Sequence, residues 1–263
     1  DKGAAVNRAT KNGATPLLIA CQQGHDGAVR LLLDKGAEAD RAMKDGSTPL
    51  YIACWKGFVD VVRLLLDNGA AVNGAAKNGA TPLYAACYNG HVEAARLLLD
   101  KGADASRATK KGLTPLGIAK KNDHAAVVAL LEEHLYPLHA TAKAGDVDEM
   151  MRLLDDGAAI DQTKEDGATP LYVACEKGQV DAVRLLLDKG AEVDRAEKEG
   201  ATPLYIACRK GHVEAVRLLL DNGAEVDRAK ENGETPLCVA KRKGHAPVVA
   251  LLEEHQAPGG NST

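Results

Sequence analysis

A segment of 33 residues recurs along this 263-residue chain, and its period constrains the fold more than any other feature. The proline after a threonine marks the repeat in two series of 33-residue steps, at Pro16, Pro49, Pro82 and Pro115, then at Pro170, Pro203 and Pro236. Between the series, Pro137 lies 33 residues before Pro170 but only 22 after Pro115, so the register slips once by 11 residues. Such a period predicts stacked copies of one small unit, because a single unit cannot bury its apolar face alone.

Each unit contains the start and stop signals of two short helices. In the copy that begins at Thr202, the threonine can cap a helix and Pro203 can occupy its first turn without losing a hydrogen bond. Gly211 and Gly223 are suited to end the first and second helices, since glycine adopts a left-handed conformation at little cost. A polar stretch with Asn-Gly turn chemistry follows and indicates a hairpin.

The recurring pattern G-x-T-P-L-x-x-A…G-H-x-x-x-x-x-L-L-x-x-G-A resembles the ankyrin repeat, including its 33-residue period. Seven units match closely and an eighth, residues 135–164, matches more loosely. The resemblance implies a mainly α fold, an ankyrin-repeat solenoid of paired antiparallel helices with projecting β-hairpin fingers. Four units depart from the family by carrying tyrosine where ankyrin repeats usually have histidine, at Tyr51, Tyr84, Tyr172 and Tyr205.

Two units, residues 110–134 and 233–255, differ from the rest in the same way. Both carry lysine where the others have cysteine (Lys120 and Lys241), replace "RLLLD" with "ALLEE" and lack a following hairpin. We therefore predict two ankyrin arrays, residues 1–134 and 135–263, joined without a finger. The first is expected to start within a repeat and end in a cap-like unit. The second is expected to start with a cap-like unit and end in a C-terminal cap, with a flexible tail from about residue 256.

The junction between the arrays has no Gly-Ser linker, and Pro137 forces Tyr136 away from helical geometry. We therefore expect the arrays to stack directly at a joint weaker than its neighbours. The apolar residues expected to be buried there are Val127, Leu130, Leu131, Leu138 and Met151.

The composition argues against a membrane or secreted protein. No apolar run approaches the roughly 18–20 residues of a membrane span, and no signal peptide is visible. Five of the six cysteines share one position of the repeat: Cys21, Cys54, Cys87, Cys175 and Cys208. Neighbouring helices lie about 8–10 Å apart, too far for a disulfide, whose Cα atoms lie within roughly 7 Å. We predict reduced, buried thiols and a cytoplasmic or nuclear location.

No set of residues points to a reaction. Cys87 and His91 have a spacing that can bind a metal, but a turn glycine separates their helices, so the pair is interpreted as structural. The chain has no phosphate-binding loop, no Ser-His-Asp set and no H-E-x-x-H motif. We expect no catalysis, no cofactor and no metal.

The candidate binding residues are those that vary between repeats while the repeat framework is kept. They occupy the fingertips and the two positions before the turn glycine, which the family resemblance places on a concave face. The fingertip candidates are Lys44, Asp45, Ser47 and Asn78, and the helix-end candidates are Trp55, Lys56, Tyr88, Asn89, Glu176, Lys177, Arg209, Lys210, Arg242 and Lys243. Phe58 joins them because it replaces the usual histidine. Packing between helices is the alternative for Phe58 and Trp55.

The two arrays differ in charge. Residues 1–134 carry 17 Lys/Arg against 14 Asp/Glu, a net charge of +3, and residues 135–263 carry 16 against 23, a net charge of −7. In the second array, Arg209, Lys210, Arg242 and Lys243 form a basic ridge, which suits an acidic peptide better than a nucleic acid. Solvated helix ends are the alternative.

These observations predict a non-catalytic protein–protein interaction scaffold. We expect a monomer that binds a protein or peptide on its concave face and fingertips, with an acidic segment facing array 2, and that binds neither membrane nor nucleic acid. Two alternatives remain open: a consensus-like or designed scaffold without a natural partner, and the ankyrin portion of a larger enzyme or effector. Two irregularities count against a designed origin: Asp26-Gly27 breaks the helix pattern in the first unit, and Asn122-Asp123 replaces the usual glycine turn.

Overall fold

The computed structural model describes residues 5–256, which fold into sixteen α-helices without a β-strand. The chain divides into two compact units, residues 1–135 and 136–263. The predicted start within a repeat falls in part on residues 1–4, and the predicted tail falls on residues 257–263. Both segments lie outside the described residues.

Unit 1 contains eight helices in four pairs. They are α1 (Pro16–Gln23), α2 (Asp26–Asp34), α3 (Pro49–Lys56), α4 (Val59–Asp67), α5 (Pro82–Tyr88), α6 (Val92–Asp100), α7 (Pro115–Lys121) and α8 (Ala125–Leu135). The first helices of successive pairs pack side by side in one row, and the second helices pack in another.

Unit 2 repeats the arrangement with eight further helices. They are α9 (Pro137–Ala144), α10 (Val147–Asp155), α11 (Pro170–Lys177), α12 (Val180–Asp188), α13 (Pro203–Lys210), α14 (Val213–Asp221), α15 (Pro236–Lys243) and α16 (Ala246–Gln256). The paired-helix solenoid expected from the sequence is therefore confirmed.

The first helices begin and end where the sequence predicts. Thr81 Oγ1 accepts the N–H of Tyr84 at 3.1 Å, with Pro82 in the first turn, and equivalent threonines cap six other first helices. Helix α9 follows Tyr136 and has no side-chain cap. Glycines in the left-handed region end most first helices, as Gly57 does with φ of 76°. Asp123 takes this position after α7 with φ of 58°, which aspartate tolerates better than most residues.

The core of both units is built from leucine, alanine, valine and cysteine. Leu83, Cys87 and Leu98 are fully buried, and all five cysteines that share one repeat position are free and buried, as predicted. The expectation that Met151 would be buried is wrong: it is 40% exposed, and Met150 is buried instead. Helix α10 turns Val147, Met150 and Leu154 inward, because residues at this spacing share one helical face.

The fingers are tight turns joined to each other by backbone hydrogen bonds. In the second finger, the N–H of Met43 donates to the Ser47 carbonyl at 2.9 Å, and the N–H of Gly46 donates to the Met43 carbonyl at 2.9 Å. The N–H of Lys77 in the next finger donates to the Asp45 carbonyl at 2.9 Å. Neighbouring fingers are thus held in a fixed register.

In six repeats, a side chain from the following repeat covers the glycine that ends the first helix. The His91 ring lies over Gly57, and its Nε2 is 3.2 Å from the Trp55 carbonyl at the end of α3. The same contact to a helix-end carbonyl is made by His124, Gln179, His212 and His245. Histidine at this position thus satisfies a helix terminus of the preceding repeat, which supports the structural interpretation of the Cys-His pairs.

Each of the two cap-like repeats contains its own ion pair, at equivalent positions. This pair explains why both repeats differ from the others in sequence. Lys120 Nζ lies 3.2 Å from Glu132 Oε1, and Lys241 Nζ lies 2.7 Å from Glu253 Oε1. Lysine in the cysteine position therefore meets the first glutamate of "ALLEE" on the second helix of the same repeat. Both second helices, α8 and α16, run for 11 residues, against 9 in the other repeats.

Thiol reactivity should separate Cys238 from the five buried cysteines. Burial raises the pKa of Cys21, Cys87 and Cys208 to about 12, so these thiols are both shielded and almost wholly protonated at mildly alkaline pH. Cys238 is exposed. We expect a chromogenic disulfide reagent to modify one of the six thiols rapidly in the native protein and all six in denaturant. Rapid labelling of all thiols without denaturant would contradict the packing described above.

Gly57→Ala should destabilise unit 1 more than Gly69→Ala. Both glycines have φ near 80°, so alanine pays a backbone cost of roughly 1–2 kcal/mol at either position. A Cβ at Gly57 would lie 2.5 Å from His91 Nδ1, whereas a Cβ at Gly69 meets nothing within 4 Å. Displacing the His91 ring should cost about 1 kcal/mol more. Denaturant unfolding measures the difference, which should vanish when both substitutions are made in a His91→Ala background.

Candidate interaction surface

Four aromatic side chains of unit 1 form one continuous cluster, called here the aromatic ladder: Tyr51 and Trp55 of α3, and Tyr84 and Tyr88 of α5. Within each helix the pair is four residues apart, and across the two helices equivalent residues are 33 apart. The Trp55 and Tyr88 rings stack with centroids 4.9 Å apart and an interplanar angle of 22°. Tyr51 lies 6.3 Å from Trp55, and Tyr84 lies 6.4 Å from Tyr88. Helical and repeat spacing together thus bring the four rings into contact.

The ladder is buried at one end and open at the other. Tyr84 is buried, Tyr51 and Trp55 are half-buried, and Tyr88 is 39% exposed. Burial raises the pKa of Tyr51, and the nearby Tyr84 and Asp45 raise it further. The Trp55 ring packs on other aromatic residues of the same surface. Trp55 thus packs against its neighbours and is still partly exposed, so a partner can contact it.

Phe58 lies in the position that histidine occupies in the following repeats. Its ring covers Gly24, where an added Cβ would lie 3.0 Å from three ring carbons. A phenyl ring cannot make the hydrogen bond to a helix-end carbonyl that His91 makes to Trp55. Phe58 thus makes a packing contact, which is the alternative to partner binding given for it above.

The fingertip candidates are exposed with one exception. Lys44, Asp45 and Asn78 are exposed, whereas Ser47 is only 6% exposed. Ser47 lies where the chain turns back toward α3, and its N–H donates to Asp45 Oδ1 at 2.9 Å. The expectation that Ser47 lies on the contact surface is therefore corrected.

A row of lysines at the fingertips escaped the sequence reasoning. Lys11, Lys44, Lys77 and Lys110 occupy the same position in four successive fingers and are all exposed. Of the four, Lys44 alone was among the candidates named from the sequence, because these were the residues that differ between repeats, and the recurrence of lysine at this position with the 33-residue period was not considered. Of the remaining candidates in unit 1, Lys56 is exposed, and Asn89 Nδ2 donates to the Ala85 carbonyl at 3.1 Å near the end of its own helix.

In unit 2, carboxylates are interleaved with the basic ridge. Glu176 lies 3.3 Å from Lys177 and 3.7 Å from Lys210. Arg242 Nε donates to Glu234 Oε1 at 2.7 Å, and the Tyr205 hydroxyl donates to Glu234 Oε2 at 2.6 Å. The hydrogen bond from Arg242, and to a smaller extent the one from Tyr205, holds the pKa of Glu234 below its usual value.

The remaining ridge residues, Arg209 and Lys243, are exposed and have no ion pair within 4 Å among residues 5–256. The ridge is therefore partly neutralised by residues of the same unit.

Comparison with known proteins identifies the repeat. A family model of ankyrin repeats in three copies matches residues 2–76 and 70–135. A second model, of ankyrin repeats in many copies, matches residues 138–186, 171–220 and 207–253. The chain belongs to the ankyrin-repeat family.

One solved structure similar to this ankyrin chain is the crystal structure of the human ASB11 ankyrin repeat domain. It is 33% identical in sequence, with 93% of this chain and 99% of that domain covered and a TM-score of 0.46. No curated protein matches the chain.

Two searches of the described ankyrin repeats gave negative results. Residues 5–256 contain no group of three or more His, Cys, Asp or Glu side chains placed to hold a metal ion. In the same range, every helix is too short or too polar to cross a membrane.

One buried titratable group of the ankyrin fold lies apart from the ladder. His139 of α9 is 4% exposed, and its Nε2 is 3.0 Å from the Ala168 carbonyl. The Tyr136 ring packs edge-on against it with centroids 5.5 Å apart. Burial lowers the pKa of His139, and Lys164 lowers it further, while the Ala168 carbonyl and Asp166 act in the opposite direction.

Unit 2 should lose stability as the pH falls through about 6.5 because of His139. The unfolded chain takes up a proton near the ordinary pKa of 6.5, whereas the folded chain does so only at lower pH, so acid favours unfolding. We expect the free energy of unfolding to fall between about pH 7 and pH 5, and to fall less steeply in His139→Gln, which cannot titrate. Denaturant unfolding followed across this range provides the measurement. Equal slopes for the two proteins would show that His139 is not the responsible group.

Proposed function

We propose that this ankyrin protein is a non-catalytic interaction scaffold that binds a protein or peptide on unit 1, with Trp55 and Tyr88 as its anchors. Ankyrin repeats are generally protein–protein interaction modules. The observation that carries the proposal is the aromatic ladder, because its open end lies at positions that the repeat framework does not need for packing. The equivalent pairs elsewhere are polar, as in Gln22-Gln23 and Glu176-Lys177.

The physical properties of the ladder suit an anchor. Aromatic residues dominate binding hot spots because they bury a large area with few rotatable bonds. Stacking between Trp55 and Tyr88 at 4.9 Å orders both rings before a partner arrives, which lowers the entropy lost on binding. The exposed fingertips Lys44, Asp45 and Asn78 complete the proposed surface with polar contacts at its rim.

We propose that unit 2 contributes less to partner binding than unit 1 does. Three of its basic helix-end candidates, Lys177, Lys210 and Arg242, pair with carboxylates of their own unit, so a partner would have to displace Glu176 or Glu234 to reach them. We therefore propose that the main contact lies on unit 1, and that the protein acts in a reducing compartment where its five buried thiols stay free.

Removing an anchor should weaken binding without unfolding the protein. Peptides selected against the full chain from a displayed random library serve as the partner, and their affinities are measured by titration. Trp55→Ala should weaken the selected peptides at least ~30-fold, since a hot-spot side chain contributes about 2 kcal/mol or more. Tyr172→Ala in unit 2 is the control and should leave affinity unchanged. A large loss of stability with unaltered affinity would make Trp55 a packing residue and overturn the proposal.

A further inference from the structure

The lysine row of unit 1 places exposed charges of one sign on successive fingers. It consists of Lys11, Lys44, Lys77 and Lys110, and Lys111 follows directly at the last finger. All five are exposed, and none has an ion pair within 4 Å to any residue from 5 to 256. Asp45 is the one acidic residue at these four fingertips, and its Oδ1 accepts the N–H of Ser47. The charge of the row is therefore not compensated within the fingers.

Backbone contacts fix the spacing of the row. The N–H of Lys44, Lys77 and Lys110 donates to the carbonyl of Asn12, Asp45 and Asn78 in the preceding finger, at 3.0, 2.9 and 2.8 Å. Gly46 permits this close approach, since a Cβ there would lie 2.7 Å from the Lys77 nitrogen. The Lys44, Lys77 and Lys110 backbones are thus held at one repeat per step, and packed helices of neighbouring repeats lie about 8–10 Å apart.

The equivalent positions in unit 2 carry the opposite balance. They are Glu165, Lys198 and Glu231, with Asp166, Glu197 and Glu199 beside them. Lys230 is already bound, since its Nζ lies 2.9 Å from Glu199 and 5.5 Å from the centre of the Tyr205 ring. An uncompensated positive row is therefore a property of unit 1 and not of the finger sequence in general.

We infer that the partner of unit 1 presents an extended acidic segment along the lysine row, with a carboxylate at about every third residue. This inference rests on the proposed function and names the chemistry of the partner. A segment in the extended polyproline II conformation has three residues per turn and rises about 3.1 Å per residue, so every third side chain points the same way at a spacing of about 9 Å, which matches one repeat. Side chains between the carboxylates can then face the aromatic ladder, because Tyr51 lies in the first turn of α3, directly after the finger that carries Lys44 and Asp45.

A protein segment fits this surface better than a single-stranded nucleic acid. Nucleic-acid grooves offer free aromatic faces on which bases stack. Here Trp55 and Tyr88 stack on each other, so the facing sides of both rings are occupied. Unit 1 also has a net charge of only +3 over residues 1–134, and the whole chain has a net charge of −4, which opposes a polyanion of high charge density.

The experiment uses the full chain and a displayed library of random peptides of roughly 15 residues, which covers four repeats at about three residues each. Selected peptides should be enriched in Asp and Glu at a spacing of three. Combined Lys44→Glu, Lys77→Glu and Lys110→Glu substitutions should weaken them about tenfold or more, and added salt should weaken binding to the unmodified protein. The matched pair is Lys77→Glu against Lys198→Glu, which make the same charge change at equivalent fingertips of the two units. Only Lys77→Glu should reduce affinity.

Further outcomes separate the inference from the proposed function. Inserting one alanine between the carboxylates of a selected peptide should weaken it, because the spacing no longer matches the row. Peptides that depend on Trp55 but lack acidic enrichment, or that tolerate the three lysine reversals, would overturn the inference and leave the proposed function intact. An oligouridylate that binds more tightly than every peptide and competes with them would overturn the protein partner. Failure to select any peptide that depends on Trp55 would overturn the proposed function itself.

Discussion

The structure depends on one constraint, which is that polar backbone groups at the edge of each repeat are satisfied by the next repeat. A buried or half-buried carbonyl without a partner costs free energy comparable to a lost hydrogen bond. The Trp55 carbonyl meets the His91 ring, and the Asp45 carbonyl meets the Lys77 N–H. The bond between fingers recurs at every step within a unit, and the bond to the helix-end carbonyl recurs at every step except the one that carries Phe58, so together they set the register of helices and fingers.

This division of labour leaves certain positions free to vary. Threonine, proline, leucine and glycine positions are taken by caps, helix starts, the core and left-handed turns, so substitutions there disturb the fold. The residues before the turn glycine carry no such duty, and in unit 1 two of them are aromatic. Trp55 and Tyr88 meet at 4.9 Å because the register places equivalent residues side by side. The surface proposed for binding is thus a by-product of the bonds that hold the repeats together.

The sequence predicted the parts of the structure that depend on local chemistry and period. Thr81 and Pro82 placed the start of α5 correctly, and the shared cysteine position correctly predicted burial of Cys87. It failed where the answer depends on which face a residue takes or on a distant neighbour. Met151 is exposed because α10 turns Met150 inward, and the basic ridge is partly neutralised because Glu234 reaches Arg242 and Tyr205 from 8 and 29 residues away. The sequence alone does not show such pairings, because they depend on how the turns place distant residues in three dimensions.

The contact between Gly57 and His91 also bears on how an array of this kind can be shortened or recombined. The glycine that ends the first helix is covered by a side chain 34 residues later in the inner repeats, as in Gly57 with His91, Gly178 with His212 and Gly211 with His245. A crossover that exchanges whole repeats within one unit brings a histidine back over a glycine and restores the same carbonyl contact. A crossover at any other period would leave a glycine uncovered and a carbonyl without its donor. Whole repeats can therefore be gained or lost at the repeat boundary while the contacts between neighbouring repeats stay the same.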